Sequence, residues 1–152
     1  MTGDGTDTIG ERLILQSRMS ELAQLPAWIE DLASRHSIPA STQFAIHLCL
    51  EEALSNIIQH GYAGRPDRPI TVQFAIPRED YFVVVVEDEA PPFNPVEAAE
   101  TPGRDALLEI QVGGQGIRLL RGFSDTLEYQ ATPNGNRLSI GFSGPRSIIT
   151  ND

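Results

Sequence analysis

Glu52 and Asn56 stand four residues apart in the segment EEALSNIIQHGY. On a helix that spacing puts both side chains on one side, with His60 one further turn along. A carboxylate and an amide oxygen stacked in this way can position a water, a hydroxyl or a hydrated Mg²⁺ ion. The same spacing also suits a solvated helix flank, and Glu51 points elsewhere. Asp88 follows Tyr81–Val86, the most hydrophobic strand-like run of the chain. There a carboxylate can accept hydrogen bonds from a ligand, or can simply end a strand in a turn. Gly113, Gly114 and Gly116 precede an apolar segment that starts at Ile117. Backbone N–H groups at a helix start, clear of side chains, can cradle phosphate. A loop running into a helix needs the same residues. The segment lacks the third glycine of a dinucleotide fingerprint. Arg104, Arg118 and Arg121 are the cations nearest to it, and Arg118 and Arg121 suit an ordinary surface equally well.

Composition narrows the chemistry. The chain has 152 residues and a formal charge of −10, and all 11 basic residues are arginine. Without lysine there is no Walker A phosphate loop, no protein-kinase strand lysine and no Schiff base. The acid excess leaves no basic footprint for duplex nucleic acid. One cysteine, Cys49, excludes an internal disulfide. His36, His47 and His60 have no metal-ligand spacing with it. No signal-peptide pattern opens the chain and no apolar run is long enough to span a bilayer, so a cytoplasmic protein is expected.

The elements that must position these residues follow from periodicity. Residues 1–10 read as a disordered tail, and 11–19 as a short strand. A first helix is predicted from Pro26 to His36, with Ala27, Trp28, Leu32 and Ala33 on its apolar side. A second runs from a cap at Ser41 or Thr42 to about His60, with Ile46, Leu50, Ala53, Leu54 and Ile57 as its stripe. Trp28 and Phe44 read as core. Strands are predicted at Ile70–Ile76, Tyr81–Val86, Thr126–Ala131 and Arg137–Phe142. Turns fall at Pro77–Asp80 and Pro133–Gly135. Tyr81–Val86 is expected to be a central strand buried on both faces. Residues 88–114 form a long Pro- and Gly-containing loop, the kind that is functional or mobile. A short helix follows at Ile117–Gly122. This order predicts an α+β two-layer sandwich, with helices on one face of a mixed, mostly antiparallel sheet. One domain spans 11–143, and 144–152 is a tail.

Taken in order, Glu52-x-x-x-Asn56, Asp88, the long loop and Gly114-x-Gly116 resemble the Bergerat-fold (GHKL) ATPases. EEALSNIIQHGY and GGQGIRLLRGFSDTLEY are similar to the anti-sigma-factor serine/threonine kinases of bacterial partner switching. The resemblance covers about residues 11–142. It implies ATP and Mg²⁺ as cofactors, with Asn56 holding the metal and Glu52 acting as general base or orienting the nucleophile. Asp88 would read the adenine amino group. Gly114 and Gly116 would meet phosphate, residues 95–112 would form the ATP lid, and Ser139 would lie near the adenine. The implied partners are an anti-sigma-factor antagonist, phosphorylated on serine or threonine, and a sequestered sigma factor, with a homodimer expected. Neither direct nucleic-acid nor membrane binding is implied. The departure from the family pattern D-x-G-x-G is Asp88-Glu89-Ala90-Pro91-Pro92. Ala90 is the feature that favours the alternative, a non-catalytic or weakly nucleotide-binding partner-switch module.

Overall fold

The computed structural model describes residues 11–94 and 120–144. Strand β1 (Glu11–Gln16) leads through a 3₁₀ segment, Met19–Gln24, into helix α1 (Leu25–His36). Helix α2 (Ala40–Asn56) follows and closes in a π turn, Ile57–Gly61. Strands β2 (Pro69–Arg78), β3 (Tyr81–Asp88), β4 (Thr126–Thr132) and β5 (Gly135–Ser143) complete the order. They form one five-stranded sheet in the order β1-β2-β3-β5-β4. Every pairing among the described residues is antiparallel, in keeping with the mostly antiparallel sheet expected. Residues 120–123 are helical. The expected tails, the lid and the start of that helix lie outside the described residues.

Strand alternation decides which face is covered. Leu15, Ile70, Val72, Phe74, Phe82, Val84, Val86, Leu138, Ile140 and Phe142 are buried with the inner faces of both helices in one core. Their neighbours Thr71, Gln73, Val83, Val85 and Ser139 are half-buried on the opposite face. The run Tyr81–Val86 is therefore central but, among the described residues, covered on one face only. Antiparallel sheets tolerate this, because no crossover helices have to lie on the second face.

The helices depart locally from expectation. In α1 the buried residues are Leu25, Ile29, Leu32 and Ala33, and Ala27 is exposed. Helix α2 begins at Ala40 after an extended Pro39 and has no side-chain cap, so Ser41 and Thr42 lie within it. Phe44 is 61% exposed rather than core. Two residues before the buried Ile46, it points to the far side of the helix. There it meets Phe123 edge-on, with centroids 6.1 Å apart. Trp28 is partly buried against the core, as expected. The π turn adds a residue to the winding, marked by the Tyr62 N–H donating to the Ile57 carbonyl at 2.7 Å. The buried stripe passes from Leu54 to Ile58, one helical step on, and Ile57 is partly buried against the same core. His60, within the π turn, is exposed, whereas Glu52 and Asn56 are half-buried.

The π turn delivers Tyr62 to the strand ends. Tyr62 is buried, and its hydroxyl donates to the Pro69 carbonyl at 2.7 Å and accepts the Glu89 N–H at 2.6 Å. One phenol thus ties the end of α2 to β2 and to the residue after Asp88. Burial pushes its ionisation above the ordinary tyrosine range. Ser17 anchors the same loop to β1, donating to the Arg65 carbonyl and accepting the Arg68 N–H at 3.0 Å. Tyr62→Phe is expected to cost about 1 kcal/mol, because the part-buried Glu89 N–H and Pro69 carbonyl lose their shared partner. Chemical denaturation would measure this, and an unchanged midpoint would show that water replaces the hydroxyl.

Candidate functional site

Two elements converge at the carboxyl end of β3. Asp88 is the last residue of that strand and is 7% exposed. It faces the helices, in line with Val84 and Val86. The end of α2 comes up against it: a methyl built on Gly61 would fall 3.1 Å from the Ala90 methyl. The Ala90 side chain thus lies close against Gly61, and a side chain at position 61 would have to push it aside by a few tenths of an ångström. Asn56 and Glu52 lie five and nine residues before Gly61, about one and two helical turns back along α2. Both are half-buried.

The Asp88 carboxylate is held by one oxygen. Its Oδ1 accepts the Ala90 N–H at 2.8 Å and the Asn136 amide at 2.9 Å. Among the described residues Oδ2 accepts no hydrogen bond, so it is available to a donor on a ligand. Burial raises the Asp88 carboxyl above the usual aspartate range, the two hydrogen bonds pull it back, and the nearby Glu89 charge raises it again. The backbone also closes tightly here. A methyl on Gly135 would sit 2.0 Å from the Asp88 carbonyl oxygen, so only glycine lets β5 pass the end of β3. Ala90 itself is buried and is not among the described residues with left-handed backbone, which are Ser37, Ala63, Asp80 and Gly64. It therefore needs no conformation that a side chain disfavours.

Asn136 is the residue that sequence reasoning missed. It stands directly opposite Asp88 in the β3–β5 register. Its amide nitrogen also reaches the carbonyls of Ala90 at 3.2 Å and Pro91 at 3.1 Å. Its Oδ1 accepts the Phe93 N–H at 3.0 Å and the Tyr129 hydroxyl at 2.5 Å. The available signal was its place directly after Gly135 in the hairpin. Ser139, expected near the adenine, is not brought to Asp88. It pairs with Val85 and Glu128 and lies on the open face, because strand alternation turns it away from Leu138 and Ile140. Gly114 and Gly116 lie outside the described residues.

Other chemistries find no support in this region. Cys49 is buried and its thiol is pushed up to about 12, by burial first and then by the Glu52 carboxylate nearby. It is neutral at physiological pH and is no nucleophile. Among the described residues no three His, Cys, Asp or Glu side chains group as a metal site. A Mg²⁺ ion carried largely by phosphate oxygens fits such a site, since it needs only one or two protein ligands. No described helix is long and apolar enough to cross a membrane.

Comparisons with known proteins agree with this geometry. The profile of the family described as histidine kinase-like ATPase domain matches residues 15–142. The chain is 31% identical over 122 residues to the serine/threonine-protein kinase BtrW of Bordetella bronchiseptica, covering 79% of this chain and 84% of that protein. It is 30% identical over 94 residues to an anti-sigma F factor of Clostridium novyi, covering 61% and 65%. Among solved structures, the histidine kinase domain of a blue-light activated kinase from Erythrobacter litoralis aligns with a TM-score of 0.51 and 19% identity. That alignment takes in 82% of this chain and 60% of the other, and at such identity it shows a shared fold alone. With its α+β sheet-and-helix architecture and a family match that spans nearly the whole described sheet, the chain belongs to the histidine kinase-like ATPase domain family.

Proposed function

We propose that the protein is an ATP-dependent serine/threonine kinase that phosphorylates an anti-sigma-factor antagonist and binds a sigma factor. The observation that carries this reading is the buried Asp88 carboxylate with a free Oδ2, set beside the end of the helix that bears Asn56 and Glu52. The names of the relatives, a serine/threonine-protein kinase and anti-sigma F factors, supply the class of partner. A homodimer in the cytoplasm accords with this reading. In it Asp88 accepts the adenine amino group through Oδ2. Asn56 offers its amide oxygen to the metal, and Gly114 and Gly116 offer backbone N–H groups to phosphate. Bound Mg²⁺ would neutralise the triphosphate as charge moves to the leaving oxygen. Glu52 accepts the proton of the attacking hydroxyl, or orients it, from the flank one turn before Asn56. No lysine enters the scheme, in keeping with the composition.

The alternative, a partner-switch module with weak or no nucleotide binding, rests on Ala90. Its two physical grounds are crowding by the methyl and an incompatible backbone. The methyl is spent against Gly61 and the backbone is not left-handed, so neither ground weighs against ATP. Calorimetric titration with ATP and ADP, with and without Mg²⁺, tests the proposal directly. Asn56→Ala is expected to remove the Mg²⁺-dependent part of ATP affinity, while ADP binding without metal changes little. Equal Mg²⁺ dependence in variant and wild type would remove Asn56 as metal ligand. No binding of any nucleotide to the folded wild type would favour the module.

A further inference from the structure

We infer that Asn136, backed by Tyr129, is a positioning residue that aims Asp88 at the base and sets the discrimination between an amino and a carbonyl group there. The inference rests on the reading of Asp88 as the base-recognising carboxylate. Its support is the saturation of one amide. Asn136 Nδ2 serves Asp88 Oδ1, the Ala90 carbonyl and the Pro91 carbonyl, and Asn136 Oδ1 serves the Phe93 N–H and the Tyr129 hydroxyl. The Phe93 N–H can only donate, so it fixes which end of the amide is oxygen and which is nitrogen. The nitrogen must then face Asp88. Being donors, it and the Ala90 N–H occupy Oδ1 and leave Oδ2 as the acceptor presented to a ligand.

The same amide holds the backbone from Ala90 to Phe93 against β5. It thereby substitutes a side-chain clamp for the tight glycine turn that Ala90 and Pro92 do not provide. Tyr129 stands on the outermost strand, β4, and its hydroxyl braces the amide from the side away from Asp88. A loose Asn136 would let the carboxylate rotate and offer either oxygen. Preference for an amino donor on the base would then fall without any loss of contact to phosphate.

The test compares ATP with inosine triphosphate, which carries a carbonyl oxygen in place of the amino group. Inorganic tripolyphosphate with Mg²⁺ serves as the probe without a base. Affinities are measured by calorimetry on the full chain for wild type, Asn136→Ala and Tyr129→Phe. Tyr129→Phe removes only the brace and keeps the amide, so it serves if Asn136→Ala does not fold. Wild type is expected to prefer ATP, and the ratio should shrink roughly 2- to 10-fold in the variants, the range one neutral hydrogen bond is worth. Tripolyphosphate binding should not change. A wild type indifferent to the base would sink the reading of Asp88 and this inference with it. A wild type that prefers ATP, with variants that keep the same ratio or weaken all three ligands together, would overturn the role of Asn136 alone.

Discussion

Asp88→Asn should leave the fold intact and lower ATP affinity by roughly 10- to 100-fold. That range corresponds to the hydrogen bond to a charged acceptor that the substitution removes. An asparagine can keep its carbonyl oxygen where Oδ1 accepts the Ala90 N–H and the Asn136 amide. It then presents an amino group where the free Oδ2 stood. A donor would face the adenine amino group, whereas the carbonyl of inosine would find a partner, so preference between the two bases should reverse. A reversal cannot come from general damage to the protein, which makes it the more telling result. If ATP binds the variant as well as wild type, Asp88 does not read the base.

The substitution also has a pH signature. Burial raises the Asp88 carboxyl, so ionising it costs the folded protein more than the unfolded one. That cost is fully present above the folded pKa and vanishes as pH falls below the unfolded value. Asp88→Asn should therefore raise the melting temperature at neutral pH, and the gain should disappear toward acid pH. Thermal melts across a pH series would show it. A variant less stable than wild type at pH 7 would mean that the ionised form contributes contacts to the fold.

Glu52→Gln should preserve ATP and ADP affinity yet lower phosphoryl transfer by about 10²–10⁴-fold, the contribution typical of a positioned general base. The carboxylate sits on the flank of α2, half-buried, close enough to Cys49 to raise its thiol further. It is not part of the core, so the amide should fit in its place without structural cost. Single-turnover transfer to the antagonist protein, read beside calorimetric ATP binding, separates the two effects. Retained transfer would leave Glu52 a surface residue. Loss of binding together with transfer would place it among the groups that hold nucleotide.

Local pattern reached a definite part of this protein. Glu52 and Asn56 share a flank because helical geometry relates residues four apart wherever the helix lies. Asp88 ends a strand because an apolar alternating run stops there, and Ile70, Val72 and Phe74 face one way for the same reason. Other features rest on interactions that no local window contains. Helix α2 ends in a π turn that no local periodicity announces, and Tyr62 beyond it is held at the strand ends by Pro69 and Glu89. Among the described residues Phe44 is exposed on the outer side of α2, with Phe123 edge-on to it, and Val83 and Val85 are half-exposed because the described helices lie on the other face of the sheet.

Asn136 and Ser139 show the division most sharply. They are three residues apart on one strand, and a period of two puts residues so spaced on opposite faces. Periodicity alone determines that they differ. Which of them meets Asp88 depends on the register of β5 against β3, and that register is settled by Gly135 passing the Asp88 carbonyl and by the core that Leu138, Ile140 and Phe142 must enter. The sequence by itself determined the elements that carry the candidates Glu52, Asn56 and Asp88. The tertiary structure alone decided which partner holds the carboxylate, since a one-residue change of register would exchange every side chain between the two faces.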